Sequence, residues 1–514
     1  MKQFAFSLTF IFILAATLIP SYGQLASNSI ILSGQMVDGE ARAVIENVSG
    51  NYVITGLTIF GTDPGMYLVE MDPLGNILHS KTISSSSTII PSCILQASGG
   101  YYIVAGYIND NSLDGDWFIA KLDSAFNNIW FKRMGTPANG DGITSCFEVS
   151  PDHFVFTGTI GLGGSTEPAV VMTDSSGSVI HEGYLTANQF SSGIHRGTYL
   201  GNGEIGFAGL DNAISIIDTS GNILKQGPFS VGDFTRDVVR DQNGGYAFYG
   251  GVGAINSGLT FGKVDSSLLT LQFAFKYTLS NYSLYPLKML RNTFGKYVIV
   301  ANTIGPIWTT PDPPIIIILN DDGTIYSSHR YVIGGSGSTI NAISITSDGG
   351  YLIAGKTYGP GFIAKLDSTG GNCSAFNNNF SISPISSVNS VVHNPFVANI
   401  TTLTSPLLNI TMGTITSSVY CAAFTGIDSE NMSKSSVKLF PSMFRDGFYI
   451  SLNKPSLETY FVSLYDVTGR KVLEAESNID GYVSIPGLAS GTYIVRVLDH
   501  IGNSLFKGMA ICIE

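Results

Sequence analysis

One short unit recurs seven times along the chain, and this repeat limits the possible folds more than any other feature. In each copy an apolar residue stands four positions before a small residue, within a stretch rich in β-branched and aromatic side chains. The copies are GNYVITG ending at Gly56, GGYYIVAG at Gly106, DHFVFTG at Gly158, GEIGFAG at Gly209, GGYAFYG at Gly250, GKYVIVA at Ala301 and GGYLIAG at Gly355. Successive copies are 41 to 54 residues apart, a period typical of repeat architectures.

Each repeat also contains a turn headed by an acid or an amide. The turns are MDPLG, KLDSAF, TDSSG, IDTSG, KVDSSL, LNDDG and KLDSTG, headed by Asp72, Asp123, Asp174, Asp218, Asp265, Asn320 and Asp367. An Asp or Asn there can bond the backbone two residues further on, and a glycine supplies the positive φ that closes a hairpin. Each unit therefore divides into four short strands, which is typical of a β-propeller blade. We predict an all-β chain in which residues 24–372 form a seven-bladed β-propeller.

The N-terminal region contains a candidate for closing the ring. The segment IILSGQM, Ile30 to Met36, has the pattern of the fourth strand of a blade, such as NIWFKRM at 128–134, yet it precedes the first complete unit. The seventh unit lacks a fourth strand, because its Asp turn continues directly into GGNCSAFNNN. We therefore predict that the N-terminal strand completes blade 7.

A glycine pattern in the fourth unit raises a different possibility. Gly201, Gly203 and Gly206 have the G-x-G-x-x-G spacing of dinucleotide-binding folds. That fingerprint requires a helix after the glycines, whereas the sequence continues with β-branched residues and a DTSG turn. We interpret the glycines as a hairpin turn and exclude a dinucleotide. The GGY…AG stretch and the following KLDS turn resemble repeats of exported propeller-like proteins of the Bacteroidota over residues 30–372, which implies a fold but no particular activity.

The start of the chain and its charge restrict location and partners. Residues 1–23, MKQFAFSLTFIFILAATLIPSYG, have the basic start, apolar run and small residues of a secretory signal peptide. A membrane anchor is the alternative, although the run is shorter than the roughly 20 residues of a spanning helix. We predict cleavage near Gln24 and a secreted or surface-exposed mature protein. The net charge is −12 without a Lys/Arg cluster, so we do not expect nucleic acid or anionic membrane as a partner. We expect a monomer.

The pattern changes at residues 437–514. The segments VKLFPSMFRDGFYISL, VSLYDVTGRKVLEAE, GYVSIPGLASGTYIVRVLD and SLFKGMAICIE predict a small Ig-like β-sandwich. LFP, LYDVTGRKV and IPGLASGTYIVRV resemble the type A C-terminal sorting domain of the type IX secretion system. The resemblance implies the type IX machinery as a partner, removal of this domain, and release or attachment to surface lipopolysaccharide. An ordinary Ig-like binding module is the alternative.

A Ser/Thr/Asn-rich stretch, residues 373–436, separates the two regions and is interpreted as a connector. Cys373 and Cys421 flank it, and a disulfide between them or two free thiols are both compatible with an exported protein. Cys93 and Cys146 lie at nearly the same position of adjacent blades, and we interpret them as buried, unpaired thiols.

Candidate ligand-binding residues follow from the antiparallel order of each blade. The first–second and third–fourth turns share one face of the ring and are short, and we call this the short-turn face. The second–third and fourth–first loops share the other face, the long-loop face, and they differ from blade to blade. Because variable loops on a rigid scaffold often bind ligands, we place binding there, around the channel mouth. The aromatic candidates for a sugar or a peptide are Trp308, Tyr282, Tyr285, Tyr358 and Trp117, and the alternative for Trp117, next to FIA, is the core.

An acidic group in the same region suggests a metal. Asp110, Asp114, Asp116 and Asp141 are the densest run of acids, and carboxylate oxygens at such spacing suit Ca²⁺. The strict EF-hand pattern is missing, so a solvated turn cluster is the alternative. No other cofactor is expected.

Catalytic signatures are missing from the sequence. HEGYL at His181 lacks the second histidine of H-E-x-x-H, no G-x-S-x-G elbow occurs, and the seven histidines lack metal spacing. We therefore favour a secreted or cell-surface propeller that binds a glycan, a peptide or a matrix partner, and we leave open whether it is an enzyme. A polysaccharide-acting enzyme and a structural surface-coat protein are the alternatives.

Overall fold

The structure is a computed structural model in which every regular element of the described residues is a β-strand. In that part of the chain no helix combines the length and apolarity needed to cross a membrane. The predicted signal peptide, residues 1–23, lies outside the described residues. The structure describes residues 27–34, 39–60, 63–85, 87–109, 115–135, 141–162, 165–186, 196–208, 214–227, 234–251, 258–305, 311–333, 337–357, 361–372, 375–377, 380–384, 394–396, 401–403, 409–411, 415–423, 438–440, 443–444, 447–451, 460–465, 471–477, 482–485, 488, 491–498 and 504–512.

Seven antiparallel sheets make up the repeat region, one sheet for each unit of the sequence. The strands in chain order are β1 (Ser27–Gly34); blade 1, β2 (Glu40–Glu46), β3 (Tyr52–Phe60), β4 (Asp63–Met71) and β5 (Ile77–Ser84); blade 2, β6 (Thr88–Gln96), β7 (Tyr102–Asn109), β8 (Gly115–Leu122) and β9 (Asn128–Gly135); blade 3, β10 (Gly142–Ser150), β11 (His153–Leu162), β12 (Ser165–Thr173) and β13 (Val179–Thr186); blade 4, β14 (Arg196–Gly201), β15 (Glu204–Ala208), β16 (Ile214–Asp218) and β17 (Ile223–Gly227); blade 5, β18 (Phe234–Arg240), β19 (Tyr246–Gly251), β20 (Leu259–Val264) and β21 (Leu271–Thr278); blade 6, β22 (Ser283–Arg291), β23 (Tyr297–Ile304), β24 (Pro311–Leu319) and β25 (Ile325–Tyr331); and blade 7, β26 (Thr339–Ile345), β27 (Tyr351–Lys356) and β28 (Gly361–Leu366).

The apolar position of the repeat forms the core between blades. Its seven residues, none more than 1% exposed, are Tyr52, Tyr102, Phe154, Ile205, Tyr246, Tyr297 and Tyr351. The second and third strands of each blade are buried on both faces because neighbouring blades pack against them, as in β27 and β28. This burial explains why those strands are continuous apolar runs instead of alternating ones.

The small residue of the repeat is required by a close backbone approach. The first strand of a blade has a β-bulge beside it, such as the register shift between Ala41 and Ala43 in β2. A side chain at Gly56 would collide with the backbone oxygen of Glu40. At Gly106 it would collide in the same way with the oxygen of Ile90.

The Asp turns have the predicted chemistry. The Asp72 carboxylate accepts hydrogen bonds from the backbone N–H groups of Leu74 and Asn76, each at 2.9 Å. The turns headed by Asp123, Asp174, Asp218 and Asp367 repeat this pattern. The turn glycine has positive φ, as at Gly75 with 92°. In blade 2 the equivalent residue is Phe126, whose φ is 61°, so the turn geometry does not depend on glycine alone.

The ring closes as predicted. The first strands of consecutive blades contact one another in order, and β2 contacts β26. Strand β1 pairs with β28, with Ile30 opposite Ile363, and completes blade 7. The junction of blades 7 and 1 repeats a contact between other blades: Glu46 accepts hydrogen bonds from the backbone N–H and hydroxyl of Ser347, as Glu148 does from Ser98.

Most of the predicted connector belongs to the propeller. Six short strands, which together we call the rim belt, add a further strand to the outer edges of blades 6, 5, 3, 2, 1 and 7 in that order. They are β29 (Ala375–Asn377) on β25, β30 (Ser381–Pro384) on β21, β31 (Asn394–Phe396) on β13, β32 (Thr401–Leu403) on β9, β33 (Asn409–Thr411) on β5 and β34 (Ile415–Ala423) on β1. The compact unit therefore extends from Leu25 to Ala423, beyond the boundary predicted at residue 372. An exposed sheet edge presents unpaired backbone groups, and the rim belt pairs them.

The C-terminal unit contains two sheets. Their strands are β35 (Lys438–Phe440), β36 (Met443–Phe444), β37 (Gly447–Ser451), β38 (Phe461–Tyr465), β39 (Lys471–Glu476), β40 (Tyr482–Ser484), β41 (Gly491–Leu498) and β42 (Ser504–Cys512). One sheet has the order β35-β37-β40 and the other β36-β42-β41-β38-β39. Val483 of the first sheet shares a buried cluster with Val462 and Val495 of the second, an arrangement in keeping with the predicted small β-sandwich. The Ig-like topology stays a prediction.

Candidate ligand-binding surfaces of the propeller

Two of the predicted aromatic residues lie at the long-loop face. Tyr282 lies in the connection between the last strand of blade 5 and the first strand of blade 6, which is of the fourth–first type, and Tyr285 is the third residue of that first strand. The side chain of Tyr285 is 40% exposed. The guanidinium carbon of Arg330 lies 4.9 Å from the centre of the Tyr282 ring, a distance suited to a cation–π interaction. The structure thus brings an exposed ring, a second ring and a cation to one edge of this face.

The other aromatic candidates have different outcomes. Trp308 and Tyr358 lie outside the described residues. Trp117 is fully buried between blades 2 and 3, and its indole N–H donates a hydrogen bond of 2.8 Å to the backbone oxygen of Thr159. A ring without exposed surface offers no face to a ligand, so the alternative interpretation of Trp117 as a core residue is correct.

The acidic candidates are only partly described. Asp110 and Asp114 lie outside the described residues. Asp116 is buried and forms an ion pair with Arg133, while the Asp141 carboxylate accepts a 2.6 Å hydrogen bond from the N–H of Gly161. Among the described residues no three potential ligands are grouped to hold a metal ion, and Asp116 already has a cationic partner. The Ca²⁺ site stays a prediction.

The central channel holds a cavity that sequence reasoning had not assigned to particular residues. Its volume is about 290 Å³, and it is lined by the first strands of the blades, among them β2, β6, β10, β14, β22 and β26. The lining residues include Ile45, Phe147, Arg196, Tyr199, Lys288 and Ser344.

One level of the channel wall carries most of the charge. The seven residues at this level each stand thirteen positions before the small residue of their own repeat: Ala43, Cys93, Ser145, Arg196, Asp237, Lys288 and Ala342. In every blade this residue pairs with the one just before the small residue, as Lys288 does with Val300 and Asp237 with Tyr249. Blades 4, 5 and 6 therefore place a guanidinium, a carboxylate and an ammonium side by side.

Burial perturbs these charges. It raises the pKa of Asp237, while the nearby Arg196 and the Thr198 hydroxyl act in the opposite direction. Burial, together with the repulsion of Arg196, lowers the pKa of Lys288 to about 8. Burial also lowers the pKa of Arg236, which is the bulge residue of β18. Protonated cations at this level are therefore held at a cost in free energy.

The two thiols of the channel are unpaired, as predicted, but both are partly buried and line the cavity instead of lying fully in the core. Cys93 and Cys146 are free cysteines at the junction of blades 2 and 3. Burial, followed by the neighbouring Cys93, raises the pKa of Cys146 well above its usual value. Cys373, half of the proposed disulfide, lies outside the described residues, so that pairing stays a prediction.

Comparison with known proteins identifies the C-terminal unit. Residues 438–509 match the family described as the secretion system C-terminal sorting domain. This segment is a type IX sorting domain. A chain that carries it is exported, either to the cell surface or out of the cell, and it interacts with the type IX secretion machinery.

The propeller resembles solved structures at low identity. They include the WD40 β-propeller domain of Doa1, at 12% identity and a TM-score of 0.43, covering 66% of this chain and 96% of that one. The extracellular domain of the putative hybrid two component system BT4673 from B. thetaiotaomicron has 11% identity, a TM-score of 0.32, and coverage of 92% and 68%. The WD40 domain of Toxoplasma gondii coronin has 9% identity and a TM-score of 0.40, and the match covers 68% of this chain and 88% of that one. No curated protein matched the sequence. The fold assignment rests on the seven sheets themselves.

Proposed function

We propose that this exported propeller is a binding protein that captures a glycan or a protein partner on its long-loop face. The observation that carries the proposal is the position of Tyr285, which is 40% exposed although it belongs to the first strand of a blade. Aromatic side chains held on rigid elements are common anchors of binding interfaces. Tyr282 and Arg330 beside it add a second ring and a positive charge.

A binding role fits the channel better than glycoside hydrolysis does. Most glycosidases need two carboxyl groups roughly 5 to 9.5 Å apart. The described residues that line the channel cavity include no Asp or Glu. The lining of the channel cavity therefore gives no support to hydrolysis, and the proposal for the long-loop face rests on its aromatic residues.

The fate of the sorting domain is part of the same proposal. We infer that the leader, residues 1–23, is removed, that the sorting domain is cleaved off after export, and that the propeller is released or attached to lipopolysaccharide. Mass spectrometry of the surface or medium form should then find peptides up to the rim belt and none from residue 438 onward. Recovery of an intact Glu514 on the surface form contradicts this processing.

The test of binding compares two exposed tyrosines of blade 6. A glycan and peptide array probed with the purified chain supplies a ligand, and titrations then compare Tyr285→Ala with Tyr326→Ala, a rim residue 49% exposed. Tyr285→Ala should weaken binding by about tenfold or more, since a central aromatic anchor contributes at least about 1–2 kcal/mol. Tyr326→Ala should bind like the unmodified protein. Equal affinity of both variants, with unchanged melting temperatures, refutes the assignment to this face.

A further inference from the structure

We propose that the central channel binds a small organic anion, with Lys288 and Arg196 holding its carboxylate or phosphate group and apolar side chains holding its body. This site lies inside the ring, on the first strands, and is separate from the long-loop face. Its volume of about 290 Å³ is close to the lower end, about 300 Å³, of small-molecule sites.

The first argument is the local excess of positive charge. The whole chain has a net charge of −12, yet two cationic residues from adjacent blades, Arg196 and Lys288, act on one carboxylate, Asp237, and a third cation, Arg236, precedes it in the same strand. That carboxylate already accepts hydrogen bonds from the Thr198 hydroxyl and from the backbone N–H groups of Val238, at 2.9 Å, and Met289, at 3.3 Å. Its charge and hydrogen-bonding capacity are therefore largely used within the protein.

The second argument is that two of the cations have open donors. Within the described part of the chain, neither the Lys288 ammonium nor the Arg196 guanidinium forms a hydrogen bond or an ion pair, although both line the cavity. The hydroxyl of Ser344, on the wall contributed by blade 7, also has no hydrogen-bond partner among the described residues. Buried polar groups are normally satisfied, and the Ser344 hydroxyl is not. The two half-buried cations line the same cavity, so the three groups together are suited to a polar occupant.

The third argument is electrostatic. The titratable groups that act on Lys288 are Arg196, which lowers its pKa, and Asp237, Cys146 and Cys93, which raise it. Burial outweighs the groups that raise it, and the pKa is about 8. A bound anion would supply the missing negative charge and restore the protonated ammonium. Binding of the anion is therefore coupled to proton uptake above pH 8.

The remaining wall defines the body of the ligand. The rings of Phe147 and Tyr199 lie 6.1 Å apart, centre to centre, and both line the same cavity together with Ile45 and Leu290. These residues follow the charged level along their strands, toward the short-turn face. A ligand with an anionic head and an aromatic or aliphatic body can contact both the cations of the charged level and these apolar side chains. Inorganic phosphate can contact only the cations.

The experiment titrates the full chain with phenylacetate and phenyl phosphate by calorimetry, and with phenylacetamide as a neutral match. Both anions should bind saturably and more tightly than phenylacetamide or inorganic phosphate. Lys288→Met should weaken them at least about tenfold, because a hydrogen bond to a charged group is lost. Lys296→Met, which removes a lysine from a turn of the same blade, should not. Affinity should fall as the pH rises through about 8, with proton uptake visible as a buffer-dependent enthalpy.

Several results overturn the site. The site is refuted if neither anion binds saturably, or if phenylacetamide binds as tightly as the anions. It is also refuted if the single variants Lys288→Met and Arg196→Gln both bind the anions with unchanged affinity. Circular dichroism and melting curves establish that these variants are folded. Tyr285→Ala should bind the anions normally. If the anions do not bind in the channel, the proposal for the long-loop face is therefore unaffected. If Tyr285→Ala does not weaken binding at the long-loop face, the proposal for the channel is likewise unaffected.

Discussion

Replacing Trp117 with alanine should destabilise the propeller strongly without altering ligand binding. The indole is fully buried at the junction of blades 2 and 3, packed with Ile119, Phe154 and Ile160, and it hydrogen-bonds the backbone of Thr159. The substitution therefore removes both a large apolar contact and a polar link between blades.

The size of the effect follows from this burial. A buried tryptophan covers about 200 Å², and at about 25 cal/mol per Å² its loss corresponds to about 5 kcal/mol. Trp→Ala substitutions in cores cost about 3–5 kcal/mol. Trp117→Phe keeps most of the apolar contact and loses the hydrogen bond, so its cost should be about 1–2 kcal/mol.

Guanidinium chloride unfolding followed by circular dichroism measures these differences. Leu269→Ala, at a turn residue that is 68% exposed, is the matched control and should change the free energy of unfolding by less than about 0.5 kcal/mol. If Trp117→Ala unfolds at the same denaturant concentration as the unmodified chain but no longer binds its partner, the assignment of Trp117 to the core is refuted.

Three further predictions concern the rim belt, Lys288 and calcium. A chain that ends at residue 372 keeps β28 but lacks β34, the outer partner of β1, and it leaves the outer edges of the blades unpaired, so it should melt at a lower temperature and aggregate; an unchanged melting curve would show that the rim belt is dispensable. Lys288→Met should stabilise the protein at pH 7 by up to about 3 kcal/mol, the upper limit that corresponds to a pKa of about 8 in place of 10.5. Because the unfolded chain binds more protons between these two values, the unmodified protein gains stability as the pH rises through them, and the difference should vanish by about pH 10.5. A pH-independent difference contradicts this mechanism. For calcium, EGTA should lower the melting temperature, and Asp114→Asn should abolish that response; an unmodified protein that is insensitive to EGTA disproves the metal site.

The blade architecture was predictable because its signals are local. The buried residue, the small residue and the Asp turn fall within single strands or hairpins, where side-chain pattern and φ requirement determine the structure. Phe126 shows the limit of this reasoning, since it takes the position that glycine occupies in most blades and adopts the same positive φ.

The rim belt was not predictable in the same way. Its strands are mostly three or four residues long and rich in Ser, Thr and Asn, as in β32 and β33. Such segments contain few apolar residues, and they pair through their backbone with edges that exist only in the folded ring. Their side chains therefore have no periodicity that marks a strand.

The charged level of the channel had a signal that spans repeats. Arg196, Asp237 and Lys288 are 41 and 51 residues apart, which equals the spacing of Gly209, Gly250 and Ala301. Alignment of the units on their small residues would have placed the three side chains at one level. Such an alignment could not have predicted the lowered pKa of Lys288, because that shift depends on burial by neighbouring blades.

The position of β1 has a consequence for when the protein can acquire its structure. This strand lies between β28 and β34, so residues near the beginning of the chain acquire both neighbours only when the segment up to Ala423 is present. The length-dependent entropy of closing so long a loop is about 5 kcal/mol, and contacts so distant in sequence slow folding. Blades can form one after another during synthesis, but the ring itself cannot. The closed propeller can therefore form only after the seventh blade has emerged, and β1 stays without its inner partner until β28 is present.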